Sequence, residues 1–233
     1  MITEHPSFPI KTPKTSTIWR YMSFTKFMNL ILESSLYFCR GDKFQDPFEG
    51  RYGNYNLLNR ASIYENDMSL LGDLSEHARS KIYINCWHIN NHESAAMWQL
   101  YSTNDSGIAI KSTIKDLMTC VDDEIVQIGE VRYIDYNNEF MDEGNIYFPF
   151  LYKRKSFDHE REIRLLARDK TILKGQDPEF EFGCFKRIDV DKLINSIYLS
   201  PLMPDWEERT IRNILLRLGL NFEIKKSSLY MLE

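Results

Sequence analysis

Two glutamates one residue apart, Glu160 and Glu162, open an apolar run in the most charged part of the chain. Residues 151–175 hold eight Lys and Arg against four Asp and Glu, although the whole chain has a formal net charge of −5. If a strand begins here, Glu160, Glu162 and Arg164 share one face. Carboxylates beside a sheet are costly unless they pair with cations or stabilise positive charge in a substrate. The alternative is a solvated strand edge with Glu–Arg pairs.

Arginines on two predicted strands are candidates for binding a phosphate. Arg20 lies between Trp19 and Tyr21 on the first predicted strand, and Arg40 ends the second. A guanidinium framed by aromatic rings can bind a phosphate through two parallel hydrogen bonds and can stack on a ring. The alternative is a structural role, in which the arginine satisfies a buried carboxylate or extends to the sheet edge.

Aromatic and histidine side chains in the middle of the chain have two interpretations each. Met97, Trp98 and Tyr101 have the spacing of one helix face, which favours a buried stripe over ring stacking on a ligand. His88 and His92 are four residues apart, a spacing that suits two metal ligands on one helix. However, His88 ends a predicted strand, so we predict no metal site.

Several familiar motifs are absent from the sequence. It has no P-loop, GxGxxG, GxSxG, HExxH or kinase signature, which removes the commonest nucleotide-binding and hydrolase classes. None of the four cysteines belongs to a CxxC pair, which argues against a structural zinc site. In a cytoplasmic protein these cysteines are expected to be free thiols.

Composition predicts a folded protein away from the membrane. The 233 residues are 43% hydrophobic, enough for one large domain with its own core. No run of eighteen apolar residues is present, and the proline-rich start lacks the apolar segment of a signal peptide. We therefore predict a cytoplasmic location with no membrane partner. The acidic balance argues against a general coat for duplex DNA.

Hydrophobic periodicity and turn residues predict an α+β fold with mixed or antiparallel sheets. An irregular arm is expected over residues 1–16 and a single domain over residues 17–233, with a polar, partly helical insertion at about 50–80. Helices are expected to cluster in the N-terminal half. One amphipathic helix is predicted to follow Pro204.

Capping signals predict three local details. Asp46, Pro47 and Glu49 have the chemistry of a helix start. Asn90, followed three residues later by a glutamate, is expected to cap a short helix. Gly129 is expected to break a strand over residues 124–136.

The order of short motifs resembles the bacterial and phage-associated domain-of-unknown-function family 2971. The match spans about residues 17–229. The motifs are Arg20-Tyr21-Met22-Ser23, Leu36-Tyr37-Phe38, Phe44-Gln45-Asp46-Pro47-Phe48-Glu49-Gly50, Cys86-Trp87-His88, Met97-Trp98-Gln99-Leu100-Tyr101 with Gly107, Lys155-Ser156-Phe157 and His159-Glu160-Arg161-Glu162-Ile163-Arg164.

A second resemblance, to the ADP-ribosyltransferases, lies in a strand arginine, a central strand and a late Glu-x-Glu. It implies that Arg20 binds near the NAD pyrophosphate or ribose, that Glu162 is the catalytic glutamate, and that Glu160 orients the acceptor. The middle strand departs from the family, because residues 85–88 are Asn-Cys-Trp-His where a Ser-Thr-Ser run is expected. The NAD-contacting residues implied by the resemblance are Arg20, Tyr21, Arg40, His88, Trp98 and Tyr101.

Together the resemblances imply an enzyme that uses NAD, without a metal, to modify a macromolecular target or to hydrolyse NAD. The implied setting is a bacterial toxin or phage defence, with a protein or nucleic-acid acceptor and an antitoxin or other partner protein. One alternative is a non-catalytic module that binds a nucleotide or nucleic acid through residues 151–175. Another is a protein-interaction partner in a defence system. A cleft shared by Arg20, Glu162 and an aromatic ring would favour the enzyme.

Overall fold

A large mixed sheet organises the computed structural model, which describes residues 2, 4–63, 77–101, 106–123, 125–170 and 180–231. The strands are β1 (Thr17–Ser23), β2 (Ser35–Arg40), β3 (Ile82–Ile89), β4 (Gly107–Thr113), β5 (Val126–Glu130), β6 (Arg132–Ile134), β7 (Tyr152–Arg154), β8 (Glu162–Arg168), β9 (Gly183–Arg187), β10 (Ser196–Leu199) and β11 (Ile224–Lys226). The helices are α1 (Phe24–Glu33), α2 (Asn54–Ile63), α3 (Ala95–Tyr101), α4 (Ile114–Cys120), α5 (Val190–Leu193) and α6 (Asp205–Arg217).

Nine of these strands form one sheet in the order β11-β10-β4-β1-β3-β2-β9, with β8 beside β3 and β5 beside β8. Every pair in it is antiparallel except β10 with β11. Strands β6 and β7 form a separate parallel pair. Helices α1 to α4 precede residue 121, and α6 follows Pro204. The predicted α+β class, with helices clustered early and one near the C-terminus, is confirmed.

The sheet splits along one side of β3. On that side β3 pairs with β2 near its start, at Tyr83 and Ile84, and with β1 near its end, at His88 and Ile89. Between these pairs, residues 85–87 have no ladder partner in β1 or β2, both of which are described in full. The two strands therefore diverge and leave a notch over the middle of β3. On its other side, β3 pairs continuously with β8.

The side chain of Asn85 crosses the notch. Its amide nitrogen donates to the carbonyl of Tyr37 on β2 at 2.8 Å, and its oxygen accepts from the indole nitrogen of Trp87 at 2.7 Å. The first bond joins β3 to β2 where the backbone ladder is missing, and the second, within β3, fixes the orientation of the amide. The Asn85 side chain thus links β3 to β2 across the notch.

Helix α1 connects the two diverging strands. The Ser23 hydroxyl accepts a hydrogen bond from the Lys26 amide and caps the helix, as its type predicts. The helix ends at Ser34, which has a left-handed φ of 44°. Its apolar face packs Phe27 and Leu30 into the largest core cluster.

Strand β8 shows how the charged segment enters the sheet. Ile163 and Leu165 face the core, while Glu162 and Arg164 face the opposite side, as the alternation predicts. The alternative of a solvated strand edge is wrong, because β8 lies between β3 and β5 and Arg164 is 0% exposed. Both charged side chains are therefore buried and need partners inside the protein.

The predicted helix start at Asp46 is wrong. The Asp46 carboxylate accepts from the Phe48 amide at 3.0 Å and closes a turn, and the next helix begins only at Asn54. Gly50 adopts a φ of +72°, and a Cβ there would lie 2.3 Å from the Phe150 ring. This backbone is incompatible with a helix through residue 50. The Glu49 carboxylate binds the buried Arg164 and so does not serve in a capping box.

Other local predictions differ in detail. The strand over 124–136 breaks at Val131 and not at Gly129. Ser94, not Asn90, caps α3, because its hydroxyl accepts from the Met97 amide at 3.3 Å. Helix α4 was not predicted. Within the insertion at about 50–80, α2 is helical, and residues 64–76 lie outside the described residues. No helix in the described part of the chain combines the length and apolarity needed to cross a membrane.

Candidate active site

A cavity of about 650 Å³ occupies the notch between β1 and β2. Its wall includes both strands, the middle of β3, the exposed side of α1 and the turn that precedes β8. The polar and aromatic residues that line it include Arg20, Tyr21, Lys26, Ser35, Cys86, His88, Tyr101, Lys153, Glu160 and Glu162. This volume suits a nucleotide-sized ligand.

Three buried polar atoms in this lining have no hydrogen-bond partner among the described residues. They are Nη1 of Arg20, Oγ of Ser35 and Nε2 of His88. Buried polar atoms are almost always paired, because an unsatisfied one costs about 1–3 kcal/mol. Three residues with such atoms around a single cavity make it a candidate site for a polar ligand.

Arg20 supplies a free cation at the β1 side of the notch. Its guanidinium carbon lies 5.8 Å from the centroid of the Trp87 ring, and no acidic side chain of the described chain forms an ion pair with it. Burial lowers the pKa of Arg20 to about 10, so the side chain still carries its charge at neutral pH. An unpaired guanidinium in a cavity that is also lined by Ser35, with its unpaired hydroxyl, can bind a phosphate.

His88 also belongs to the cavity lining, and one of its ring nitrogens has no partner among the described residues. Its Nδ1 lies 2.6 Å from the carbonyl oxygen of Glu160. A carbonyl can only accept, so Nδ1 carries the proton and Nε2 has a free lone pair. Burial lowers the pKa of His88, which favours the neutral ring. The ring edge of Tyr21 lies nearby, with the two ring centroids 6.3 Å apart.

The Glu-x-Glu pair contacts a lysine that no sequence motif marks. Lys153, on β7, donates to Glu162 Oε1 at 2.9 Å and also to Glu160 Oε2. Burial would raise the pKa of Glu162, but Arg164 and Lys153 hold it well below its ordinary value. Burial and the neighbouring Glu162 raise the pKa of Glu160 to about 7, although Lys153 opposes that shift. The two carboxyls therefore differ in protonation near neutral pH.

Arg164 ties this pair to the interior. It donates to Glu162 Oε2 at 2.8 Å and, on its other side, binds the carboxylate of Glu49, with Nη2 3.1 Å from Oε2. Three buried carboxylates thus share the two cations of Arg164 and Lys153. A proton on Glu160 balances the charge of the group, which agrees with its raised pKa.

Of the aromatic residues and the second arginine implied by the resemblance, some line the cavity and others do not. Tyr21 and Tyr101 line the cavity, and Tyr101 is 45% exposed. Trp98 packs edge-on against Tyr21 and donates its indole N–H to Glu93 at 3.0 Å. Arg40 binds Asp42 and a backbone carbonyl. Neither Trp98 nor Arg40 belongs to the cavity lining within the described chain.

Part of the basic segment over 151–175 is taken up in ion pairs, while Arg161, Arg168 and Lys170 are exposed. Lys153 and Arg164 are buried in the carboxylate group. Arg154 binds Asp46 at 3.0 Å, and Lys155 binds Glu139. Residues 171–175 lie outside the described residues. Four of its cations are therefore already neutralised by carboxylates.

Comparison with models of known protein families gave no match, and a search of curated proteins gave none either. The resemblances to family 2971 and to the ADP-ribosyltransferases therefore stay predictions, and the geometry of the cavity carries the functional argument.

Proposed function

We propose that the protein is an ADP-ribosyltransferase-like enzyme that binds NAD in the notch and cleaves its nicotinamide–ribose bond. ADP-ribose then passes to a macromolecular target or to water. One observation carries this proposal: a single cavity is lined by Arg20, whose buried Nη1 has no partner among the described residues, and by the buried Glu160 and Glu162. The Arg20 cation suits the diphosphate of NAD, and the carboxylates suit the positive charge that develops on the ribose as the bond breaks.

Binding uses the unpaired donors. Nη1 of Arg20 and the hydroxyl of Ser35 would donate to the diphosphate, and Lys26 at the rim of α1 adds a second positive charge. Tyr21 and Tyr101 offer ring faces or edges for the bases. No metal is required to hold the phosphates in this arrangement, because protein cations are present.

Cleavage uses the ionised carboxylate. As the bond between ribose C1′ and the pyridinium nitrogen breaks, positive charge develops on the sugar, as in glycoside hydrolysis. A fixed negative charge at Glu162 would stabilise that state. The pKa of Glu162 lies well below its ordinary value, so the charge is present before the substrate arrives. Glu160, with a pKa of about 7, is suited to exchanging a proton with the acceptor.

One alternative is favoured by a specific observation. Both oxygens of Glu162 already accept hydrogen bonds, Oε1 from Lys153 and Arg164 and Oε2 from Arg164. A carboxylate held this firmly is also what a purely structural ion-pair group contains. A non-catalytic module that binds a nucleotide in the same cavity would keep Arg20 and Ser35 as ligand contacts and use no chemistry at Glu162.

The test is to incubate the purified protein with NAD and measure free nicotinamide by chromatography, while a parallel sample is melted with and without NAD. We expect nicotinamide release together with a higher melting temperature. Protection without nicotinamide release, with or without candidate protein or RNA acceptors, would support the binding module. If NAD causes neither nicotinamide release nor a higher melting temperature, both the enzyme and the binding module are contradicted. The toxin or phage-defence setting, with a macromolecular acceptor or antitoxin partner, remains part of the proposal.

A further inference from the structure

Two accessible aromatic rings line the cavity where it borders β9. Tyr37 on β2 and Phe185 on β9 are opposite each other in the ladder of these strands, and both belong to the cavity lining. Their ring centroids lie 5.2 Å apart. Tyr37 is 38% exposed and Phe185 is 55% exposed, so a ligand in the cavity can reach both rings. Neither ring is among the NAD contacts proposed above.

The Tyr37 ring is held in one position. Its hydroxyl donates to the backbone carbonyl of Phe182 at 3.1 Å. The phenol end of the ring lies over Gly183, where an added Cβ would be 2.5 Å from the hydroxyl oxygen and 2.6 Å from Cζ. A ring fixed in this way loses little conformational freedom when a flat ligand stacks beside it.

The aromatic pair lies on the same side of the sheet as the carboxylates, but at a distance from them. Cys184 faces the core, so its neighbour Phe185 faces the cavity side. Ile163 faces the core in the same way beside Glu162. Strands β8, β3, β2 and β9 are successive neighbours in the sheet. Three strand spacings, about 14 Å in total, therefore separate the strand of Glu162 from that of Phe185.

A cation lies near the aromatic pair. Lys26 on α1 lines the cavity and is exposed, and no carboxylate of the described chain pairs with it. Burial raises the pKa of the Cys39 thiol and the Lys26 ammonium opposes that shift, which shows that this charge is close to Cys39. Cys39 follows Tyr37 by two residues on β2 and so projects to the same face. A phosphate bound by Lys26 would therefore lie beside the rings.

We propose that Tyr37 and Phe185 form an adenine subsite, so that NAD lies across the sheet with its adenine at β9 and its nicotinamide ribose at Glu162. This inference rests on the proposed function and deepens it by orienting the substrate. Exposed rings with a cation beside them lie at one side of the cavity, and carboxylates lie at the other. NAD likewise has a base next to a diphosphate at one end and the ribose whose bond breaks at the other.

Adenine suits this position and nicotinamide does not. The bond that breaks joins nicotinamide to its ribose, so the nicotinamide must lie near the carboxylates and cannot also reach β9. The Tyr21 ring is placed for that end, because its centroid lies 6.3 Å from that of His88, which is opposite Glu162 in the ladder. At β9, uncharged aromatic rings offer a surface on which a purine can stack.

Phe185→Leu tests the subsite, because it removes one ring and keeps an apolar side chain at an exposed position. Binding of ADP-ribose, AMP and nicotinamide mononucleotide is measured by calorimetry. We expect the substitution to weaken the binding of ADP-ribose and AMP by about 10-fold, an ordinary effect of losing one stacking ring. The binding of nicotinamide mononucleotide should not change.

Phe182→Leu is the matched control. Phe182 is 59% exposed and precedes β9, but it is not part of the cavity lining in the described chain. This variant should bind all three ligands as the wild type does. Equal losses of AMP binding in Phe182→Leu and Phe185→Leu would overturn the subsite, because they would show a general effect of this edge of the sheet.

Turnover gives a second measurement. The KM for NAD should rise about 10-fold in Phe185→Leu while kcat stays within a few-fold, because a ring far from the broken bond binds substrate and transition state equally. A lower kcat with an unchanged KM would place Phe185 at the reacting bond and overturn the adenine assignment.

The contact can also be observed directly by NMR. In the complex with ADP-ribose, nuclear Overhauser effects should join adenine H2 or H8 to the ring protons of Tyr37 or Phe185. Their absence, or unchanged AMP affinity in Phe185→Leu, would overturn the subsite and leave the proposed function standing. Loss of nicotinamide mononucleotide binding alone would also overturn it. AMP binding that depends on Phe185, without nicotinamide release from NAD, would support the subsite and remove the proposed cleavage.

Discussion

His88 and Glu162 lie opposite each other in the ladder of β3 and β8, and the residue between the two glutamates is turned outward so that Glu160 contacts both. Arg161 has a left-handed φ of 41° and is exposed. This turn brings the Glu160 carbonyl to the His88 ring and the Glu160 carboxylate to Lys153. Glu160 lies outside β8, and the turn at Arg161 thereby gathers it with Glu162 at one end of the cavity.

Glu162→Gln is expected to lower nicotinamide release by at least about 100-fold, because the amide keeps the volume and removes the stabilising charge. It should also lower the melting temperature, since losing one partner of a buried ion pair costs about 3–5 kcal/mol. Glu49→Gln is the matched control. It removes a carboxylate from Arg164, but Glu49 is not part of the described cavity lining.

The comparison of these two variants decides what the activity loss means. The Glu49→Gln protein should melt earlier yet release nicotinamide at a rate within a few-fold of the wild type. Equal activity losses in both variants would show that the loss reflects the ion-pair group as a whole and not the charge of Glu162.

Arg20→Lys is expected to reduce protection by NAD, because an ammonium cannot reproduce the planar fork of the guanidinium. For the wild type, NAD at a hundred times its dissociation constant should stabilise the fold by about 2.7 kcal/mol, seen as a shift in melting temperature. Arg40→Lys serves as the control, since Arg40 binds Asp42 outside the cavity lining of the described chain. Equal NAD shifts in both variants would remove Arg20 from the binding site.

Asp46→Ala is expected to destabilise the protein by about 1 kcal/mol without changing NAD protection. The substitution removes the bond to the Phe48 amide and the ion pair with Arg154. Asp46→Asn keeps an oxygen that can accept from the Phe48 amide, so its melting temperature should lie between those of the wild type and Asp46→Ala. A normal melting temperature combined with lost NAD protection would show instead that the turn is part of the binding site.

The proton shared by the carboxylates should appear in the pH dependence of stability. Glu160 has a folded-state pKa of about 7, above its ordinary 4.5. The folded protein therefore binds a proton that the unfolded chain releases, so this stabilisation is complete below about pH 4.5 and is lost as pH rises through 7. Lys153 on β7 and Glu162 on β8 are the charged groups that interact with the Glu160 carboxyl.

Glu160→Gln removes that dependence, because an amide does not titrate. Melting temperatures of the wild type and the variant are measured from about pH 5 to about pH 9. The melting temperature of the variant minus that of the wild type should increase as pH rises through 7. The difference isolates Glu160 from His88, whose lowered pKa acts in the opposite direction, destabilising the protein as pH falls. A constant difference across this range would show that Glu160 does not titrate there.

Sequence periodicity predicted much of the fold for a physical reason: core-facing residues recur at the spacing of each element. The Ser23 cap, the alternation of Glu162 with Ile163, and the strand before the first helix all follow from local chemistry. The turn at Asp46 did not, because its path depends on Gly50 packing against the distant Phe150 ring.

The site was predicted only in part, since several of its contacts join residues far apart in the chain. Lys153 reaches Glu162 from β7, and Glu49 reaches Arg164 across 115 positions. Ser35 carries no motif that marks it. Its buried hydroxyl is noticeable only because β1 and β2 diverge around it. Such contacts follow from topology, which hydrophobic pattern does not specify.

The decisive measurement of NAD cleavage is the release of nicotinamide by the purified wild-type protein, with Glu162→Gln and Glu49→Gln measured in parallel. We expect free nicotinamide from the wild type, nearly as much from Glu49→Gln, and almost none from Glu162→Gln. An NAD pool that stays intact with the wild type, together with no melting shift at millimolar NAD, would contradict it.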